Sequence, residues 1–419
     1  IAGYVAMLRE KTGYPRKFNT NWAKNQPKIF EIAKILTNCV LIVSLQSLDE
    51  TVLKNVKRTN IKLNVFKDIA DRINVVGGIS GTEIILGLPG ETKDSHIKTI
   101  RQVFDWDVSY MICYNALLLE GTEMSLDREK GGFKATTKFR LIDNSYGKYD
   151  GIMSFEAEEG IRSTETMSEE DILYFRPVHW LIQFLWNYRF YFDLLKYLQF
   201  LQINPLDYIL KLIYNIDYVS TSEKIRLIFK EFRQDAENEW FDSIDALQRN
   251  YSKPAHFMEL EQGQYGKLNG KYIFKVLLEA RKDFEKYLYD TAVNYSAACQ
   301  KKEMVFRDIV SFLSASIVDF TSGWDEIPER KAVTCSYDIM EWRKSKYKNA
   351  LDEFYNKEDT IYTFYLPEDQ KRSIDILLKQ YAHSNKNLML RKMSEWMDIK
   401  EFFYKINLTE NIISERVKL

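Results

Sequence analysis

The first 120 residues alternate short apolar runs with stretches in which apolar residues recur every three or four positions. Recurrence of the second kind predicts helices over 27–36, 49–57, 62–74 and 94–104. The β-branched, apolar runs predict strands over 17–20, 40–46, 82–87 and 108–116. Strands and helices that alternate at this spacing are typical of parallel βαβ units. The sequence therefore predicts an α/β fold whose parallel strands neighbour one another in chain order.

The distribution of glycine separates this front part from the rest of the chain. Thirteen of the seventeen glycines precede residue 161, which leaves the remainder suited to long helices. The apolar periodicity there predicts helices over 172–200, 222–250, 271–301, 306–320, 336–355, 368–382 and 388–405. A last strand is expected near 152–157, and Ser168 begins a capping box ahead of the first of these helices. We therefore expect two domains, an α/β domain over 1–150 and a mainly α-helical domain over 151–419.

Composition and charge exclude several classes of protein. The net charge of −1 argues against a nucleic-acid binder held by bulk charge. The most apolar stretch, 180–188, is far shorter than the roughly 20 residues that a membrane span needs. The four cysteines lie far apart, which predicts neither a zinc site nor disulfides, and free thiols are typical of the cytoplasm. The four histidines form no metal-binding spacing either.

The start of the chain is unusual, because Ile1 stands where a helix is already under way. No basic segment followed by an apolar run is present, so a signal peptide is not predicted. We expect the sequence to be the C-terminal part of a longer protein.

Polar residues at the predicted strand ends are the candidates for ligand binding. Ser44 and Gln46 close the strand over 40–46, at the edge where parallel α/β folds bind ligands. The alternative is an ordinary helix start, with Ser47 as its N-cap. Gly87 ends the next strand, ahead of a Pro89-Gly90 turn. Its missing side chain would let a ligand approach the backbone, and the alternative is an ordinary tight βα loop.

Three segments in succession resemble the second half of a radical SAM barrel. They are VSLQSLDETVLKNVKR at 43–58, TEIILGLPGET at 82–92 and YNALLLEGTEM at 114–124. The segment FNTNWAKN at 18–25 is similar to the subgroup whose N-terminal domain binds cobalamin. The resemblance covers roughly residues 1–160 and implies the last four strands of a partial (β/α)6 barrel that resembles a TIM barrel.

The resemblance also implies a mechanism and a set of site residues. A [4Fe–4S] cluster would bind SAM and cleave it reductively to a 5′-deoxyadenosyl radical. Ser44 and Gln46 would lie near the SAM ribose or carboxylate, Ile85 and Gly87 would form the adenine wall, and the Leu118 backbone would pair with the adenine edge. Lys24 would contact the SAM carboxylate, with a solvated surface lysine as the alternative.

One departure from the family is large. The chain has no Cys-x-x-x-Cys-x-x-Cys segment, so the cluster ligands are expected upstream and the chain as given should not perform radical chemistry. The parent is expected to be a cytoplasmic methyltransferase or rearrangement enzyme that uses SAM, the cluster and cobalamin, with an electron donor and a small-molecule or peptide substrate. Two other hypotheses remain open. One is a non-catalytic helical interaction protein with a vestigial half barrel, and the other is an unrelated α/β-barrel enzyme.

Overall fold

A computed structural model describes most of the 419 residues. The described residues are 1–14, 18–21, 29–36, 39–60, 63–75, 79–218, 221–263, 265–295, 302–319, 327–380, 388 and 399–407. They form two compact units. Unit 1 comprises 1–183 and 237–248, and unit 2 comprises 184–236 and 249–419. We predicted two domains that divide at residue 150. The two compact units do not test that division, so it stays a prediction.

A four-stranded parallel sheet is the centre of unit 1. Its strands lie in chain order, β1 (Phe18–Asn21), β2 (Cys39–Ile42), β3 (Ile79–Leu86) and β4 (Tyr110–Asn115). Each pair is parallel, with Ile42 opposite Gly81 and Ile85 opposite Tyr114. The predicted strand order and direction are therefore confirmed. Closure of these strands into part of a barrel stays a prediction.

Helices connect the strands, as the apolar periodicity predicted. The helices of this unit are α1 (Ala2–Thr12), α2 (Ile29–Ile35), α3 (Glu50–Asn55), α4 (Leu63–Val75), α5 (Lys93–Asp105), α6 (Glu123–Glu129) and α7 (Glu169–Leu181). Capping boxes of Thr92 with Ser95 and of Ser168 with Asp171 begin α5 and α7. The prediction of Ser47 as the N-cap of α3 is wrong. The Asp49 carboxylate accepts the amides of Thr51 and Val52 instead, because it stands one residue before the helix.

A long antiparallel hairpin follows α6. Its strands are β5 (Ala135–Tyr149) and β6 (Ile152–Thr164), so the predicted short strand near 152–157 is the first part of β6. At its base, the Leu118 and Ile161 amides donate hydrogen bonds of 2.8 and 3.0 Å to the Glu159 and Ala116 carbonyls. The hairpin is thereby attached directly beyond the end of β4.

The segment 237–248, which we name the strap, completes unit 1 from later in the chain. Phe241 pairs with Phe139 of β5 through two backbone hydrogen bonds of 2.7 and 2.8 Å. The Glu239 carboxylate accepts from Arg140 at 2.9 Å and from Arg176 at 3.0 Å. The Trp240 ring lies directly over Gly160 of β6, with the Arg140 guanidinium 4.6 Å from the ring centroid.

Unit 2 is mainly helical, as predicted for the rear of the chain. Its elements include α8 (Phe192–Phe200), α9 (Pro205–Asn215), α10 (Glu223–Asn238), α11 (Ile244–Tyr251), α12 (Pro254–Glu261), α13 (Leu268–Lys275), α14 (Arg281–Tyr295) and α15 (Glu303–Ser316). The strap consists of the last two residues of α10, the connecting segment 239–243 and the first five residues of α11, so these parts belong to unit 1. Among the residues that the structure describes, no helix combines the length and the apolar character that crossing a bilayer requires.

Two helix predictions for this unit need correction. The helix expected over 172–200 is interrupted by a π-helical turn (Ile182–Asn187) and by Arg189, whose φ of 62° no α-helix accommodates. The helix expected over 336–355 is instead a strand, a short helix and a turn. The antiparallel sheet there consists of β7 (Arg330–Tyr337), β8 (Tyr355–Tyr365) and β9 (Lys405–Asn407), with α16 (Ile339–Lys344) between β7 and β8.

The remaining helix predictions are mostly confirmed with shifted bounds. The helix α17 (Glu368–Gln380) matches the one expected over 368–382. The stretch expected over 271–301 contains α13, a π-helical turn (Val276–Ala280) and α14. Most of the helix expected over 388–405 lies outside the described residues, and Ile399–Phe402 forms a 3₁₀ turn.

Candidate functional site

The carboxyl edge of the parallel sheet carries a group of polar side chains. The Ser44 hydroxyl, just beyond β2, donates a hydrogen bond to the Glu83 carboxylate of β3. Glu83 is paired with Ile112 of β4, and Ile85 is paired with Tyr114, so these four side chains lie on the same face. The opposite face of β3 is apolar and buried through Ile84 and Leu86. The sheet therefore has one packed face and one face with a carboxylate near its centre.

Arg58 brings a positive charge to this face. Its Nη2 atom donates to the Ser44 carbonyl oxygen at 3.2 Å. Desolvation lowers the pKa of its guanidinium, and the Glu83 carboxylate has a smaller, opposite effect that raises this pKa. The Arg58 Nε atom is buried and has no hydrogen-bond partner. A buried donor without a partner is costly, which favours a polar ligand at this position.

Tyr114 adds a phenol to the same group. Its side chain is 47% exposed, and desolvation together with the nearby Glu83 carboxylate raises its pKa. The neutral hydroxyl therefore stays available as a hydrogen-bond donor across the physiological pH range. Ser44, Arg58, Glu83 and Tyr114 together offer hydroxyl, cationic and anionic groups to one small area, which we name the sheet-edge site.

Gln46 lies at the same edge in an unusual conformation. Its φ is 64°, and its backbone pairs with β3 through bonds of 2.8 Å to Glu83 and Ile85. A left-handed residue interrupts the alternation of side chains along a strand, so alternation alone no longer places Gln46 beside Ser44. Its predicted contact with the SAM ribose or carboxylate stays a prediction.

Gly87 occupies the turn that follows β3. Its φ of 87° explains why glycine stands there, because residues with a Cβ are strained in that region. An added Cβ would meet Ile161 at 3.7 Å and Ile172 at 3.6 Å, so the protein itself covers that side of the backbone. Its N–H donates to the Glu91 carboxylate at 2.7 Å. The adenine wall predicted from Ile85 and Gly87 would therefore use the half-buried Ile85 side chain and the other side of this turn.

One of the two backbone hydrogen-bonding groups of Leu118 already has a partner within the fold. Its N–H donates to the Glu159 carbonyl at 2.8 Å and its side chain is buried. The predicted pairing with an adenine edge would thus fall to the Leu118 carbonyl oxygen. Lys24, the last predicted site residue, lies outside the described residues.

Sequence reasoning missed Glu83 and Tyr114 as parts of this site. Both stand inside strands that were interpreted only as apolar runs. The signal available was the carboxylate of Glu83 directly before the apolar residues of TEIILGL, since charge inside a buried strand is uncommon unless it meets a partner. Arg58 was noted only as the end of a matching segment.

Cys113 and Cys335, the two cysteines whose side chains the structure describes, do not suit an iron–sulfur cluster. Desolvation raises the pKa of the Cys113 thiol and raises that of Cys335 to about 12, whereas cluster ligands are thiolates. Within the described part of the chain, no three side chains of His, Cys, Asp or Glu come together in a metal-binding arrangement. The described residues therefore do not fit the cluster, whereas the hydroxyl, guanidinium and carboxylate groups of the sheet-edge site suit a polar ligand.

Comparisons with known proteins give two curated relatives, both of them methyltransferases by name. The cobalamin-dependent radical SAM methyltransferase TokK of Streptomyces tokunonensis is 36% identical over 100 residues, which is 23% of this chain and 15% of that protein. The 2-(S-pantetheinyl)-carbapenam-3-carboxylate methyltransferase of Streptantibioticus cattleyicolor matches with the same identity and coverage. The chain thus spans about 15% of the length of these relatives.

A solved structure is also similar to part of the chain. It is the radical S-adenosylmethionine methyltransferase TsrM of Kitasatospora setae, with tryptophan and a SAM analogue bound, at 14% identity and a TM-score of 0.27 over 34% of this chain and 29% of TsrM. No protein-family model matches the chain. The sequence matches confirm the predicted resemblance to cobalamin-dependent radical SAM enzymes.

Proposed function

We propose that this chain carries the SAM-binding edge of a cobalamin-dependent radical SAM enzyme, and that the intact enzyme transfers a methyl group or rearranges an unreactive carbon skeleton. The observation that carries the proposal is the polar set of Ser44, Arg58 and Glu83 on the open face of β3, within a succession of segments that resembles this family. The cluster, and cobalamin where it is used, would be bound by residues outside these 419.

The side chains at the sheet-edge site have complementary parts in holding SAM. The Glu83 carboxylate would accept hydrogen bonds from ribose hydroxyls, and the Ser44 hydroxyl already holds that carboxylate in place. The Arg58 guanidinium, with its Nε unpartnered, would bind the carboxylate of the methionine moiety. The half-buried Ile85 would contact the adenine ring.

Bound SAM supplies the sulfonium whose reductive cleavage gives the family its radical. The residues of this chain would orient the adenosyl group and exclude water from one side of it. An electron donor and a small-molecule or peptide substrate are part of the proposal for the intact enzyme, as is a cytoplasmic location. The relatives' own substrates give no assignment of a substrate here.

Calorimetric titration of the chain with SAM tests this proposal. We expect weak binding by the chain alone, which Glu83→Gln weakens a further tenfold or so, since hydrogen bonds to a charged group contribute about 1.5–3 kcal/mol. Ser154→Ala, in the exposed part of β6, is a matched control for Ser44→Ala and should leave the affinity unchanged. Binding that neither Glu83→Gln nor Ser44→Ala alters would place SAM elsewhere.

Absence of SAM binding by a well-folded, monodisperse chain would contradict the proposal. That result would favour the alternative of a non-catalytic interaction protein with a vestigial half barrel. Circular dichroism and sedimentation on the same sample distinguish it from a chain that has simply failed to fold.

A further inference from the structure

Three buried, ionisable side chains next to the turn after β3 are linked by hydrogen bonds, and we name them the hydrogen-bond chain. Glu91 and His96 are fully buried and His179 is 3% exposed. The Glu91 Oε1 atom lies 2.9 Å from His96 Nδ1, and His96 Nε2 lies 3.1 Å from His179 Nε2. The other carboxylate oxygen of Glu91 accepts the Gly87 amide at 2.7 Å. Hydrogen bonds therefore link the Gly87 turn to the interior of α7.

The Glu91 end of this hydrogen-bond chain sets the direction of its protons. At one end the Glu91 carboxylate only accepts, so His96 donates from Nδ1, and the neutral form of His96 then has its lone pair on Nε2. His179 then donates from Nε2, which leaves the lone pair of its buried, unpartnered Nδ1. Arg176 stands three residues before His179 in α7, its charge lowers the pKa of His179, and its buried Nε is unpartnered as well.

The surroundings of His179 disfavour a charge on its imidazole. The Phe175 ring contacts His96 edge-on at 4.6 Å between centroids and stacks on His179 at 5.9 Å. Desolvation, with smaller contributions from His96 and Arg176, holds the pKa of His179 well below its usual value. A second proton on His179 would place a positive charge in this apolar layer, where Arg176 already opposes it.

We propose that Glu91, His96 and His179 are positioning residues that act as one directed hydrogen-bond chain, with His96 as the Nδ1–H tautomer and His179 as the Nε2–H tautomer. The chain orients the Glu91 carboxylate, which holds the Gly87 amide and so fixes the turn beside Ile85. Its role in ligand binding rests on the proposed function, whereas the tautomers do not.

Histidine-selective ¹⁵N NMR tests the tautomers directly, because the chain has only four histidines. Signals are assigned with His96→Gln, His179→Gln and His256→Gln, the last of these a half-buried residue of unit 2 that serves as a control. We expect the stated tautomers in the wild-type chain and no titration of His179 between pH 6 and 8. A wild-type chain with His179 protonated on Nδ1, or with His96 protonated on both nitrogens, would overturn the proposal.

Glu91→Gln gives a second, independent test. The carboxamide that this substitution introduces can keep its oxygen on the Gly87 amide only by turning its NH₂ group toward His96. We therefore expect both histidines to exchange tautomers, to Nε2–H on His96 and Nδ1–H on His179, a change that packing alone would not produce. Unchanged tautomers in a folded Glu91→Gln chain would contradict the directed chain.

The effect on ligand binding is measured with SAM itself. We expect Glu91→Ala, which frees the Gly87 amide, to weaken SAM binding roughly tenfold, and Glu91→Gln to stay within about threefold of the wild-type affinity. Equal losses in the two variants would refute the positioning role. If the wild-type protein binds no SAM, the proposed function fails. The tautomer experiment still decides whether the hydrogen-bond chain is directed.

Discussion

Replacing Gly160 by alanine is the sharpest test of how the strap is attached to the hairpin. A methyl group at Gly160 would lie closer than 3.0 Å to two carbons of the Trp240 ring, so the ring has to move. Trp240 is 7% exposed and has little room to do so. Its ring also has the Arg140 and Arg162 guanidinium groups at 4.6 and 5.0 Å from the centroid, and displacement weakens both contacts.

The expected loss of stability follows from these contacts. Overpacking of a filled site costs about 1–3 kcal/mol, and each cation–π contact contributes about 0.5–1 kcal/mol. We therefore expect Gly160→Ala to lower the free energy of unfolding of unit 1 by about 2–4 kcal/mol. For a unit of this size that corresponds to a fall in Tm of about 5–10 °C.

Urea denaturation of four variants measures this coupling. Gly160→Ala, Trp240→Ala and their double mutant form a cycle with the wild-type chain, and the cost of Gly160→Ala should largely disappear when the ring is absent. Gly147→Ala in the same hairpin is the matched control. The Tyr149 hydroxyl lies 2.7 Å from that methyl position, but Tyr149 is 68% exposed and can turn away. An equal cost for Gly160→Ala with and without Trp240 would refute the reasoning.

Three further outcomes are expected. Asp193→Asn should destabilise unit 2 by about 3–5 kcal/mol in urea melts, because it leaves the Arg343 guanidinium, bound at 2.6 Å, without its buried counter-charge; a loss below about 1 kcal/mol would contradict this. The folded-state pKa of His179 is depressed, so the neutral ring contributes fully to the free energy of unfolding above the unfolded pKa of about 6.5, and this contribution is lost as the pH falls below that value. A plot of Tm against pH between 7 and 5 that is as steep for His179→Gln as for the wild type would contradict this. Thr92→Ala should cost about 1 kcal/mol through the lost cap of α5, against no change for the exposed Ser154→Ala.

The parallel sheet could be predicted because its strands are short apolar runs separated by helices of clear periodicity. The hairpin was only partly predicted, since β5 is half-buried along nearly its whole length and has no apolar run. The helix expected over 336–355 failed for a different reason. The stretch KAVTCSY alternates as a strand does, and the residues after α16, Lys346 and Tyr347, have φ values of 57° and 59° that end a helix.

The site was predicted in outline and missed in detail. The strand ends at Ser44 and Gly87 are marked in the sequence by polar and turn residues, and the structure places them in neighbouring strand ends. Ser44 and Glu83 meet only through the register of β2 with β3, which no local pattern encodes, and Arg58 joins them by its bond to the Ser44 carbonyl. The contact of His96 with His179 spans 83 positions, and each histidine alone was indistinguishable from a packed core residue.

The strap has a consequence for the order in which the protein matures on the ribosome. Nascent domains generally fold as units from the N-terminus while synthesis proceeds at about 5–20 residues per second. Here the first unit stays incomplete until residue 248 has left the exit tunnel, although its other part ends at residue 183. During that interval the hairpin lacks Trp240 over Gly160, and the Arg140 and Arg176 guanidinium groups lack Glu239. Unit 1 therefore still lacks the strap while the ribosome translates α8, α9 and most of α10.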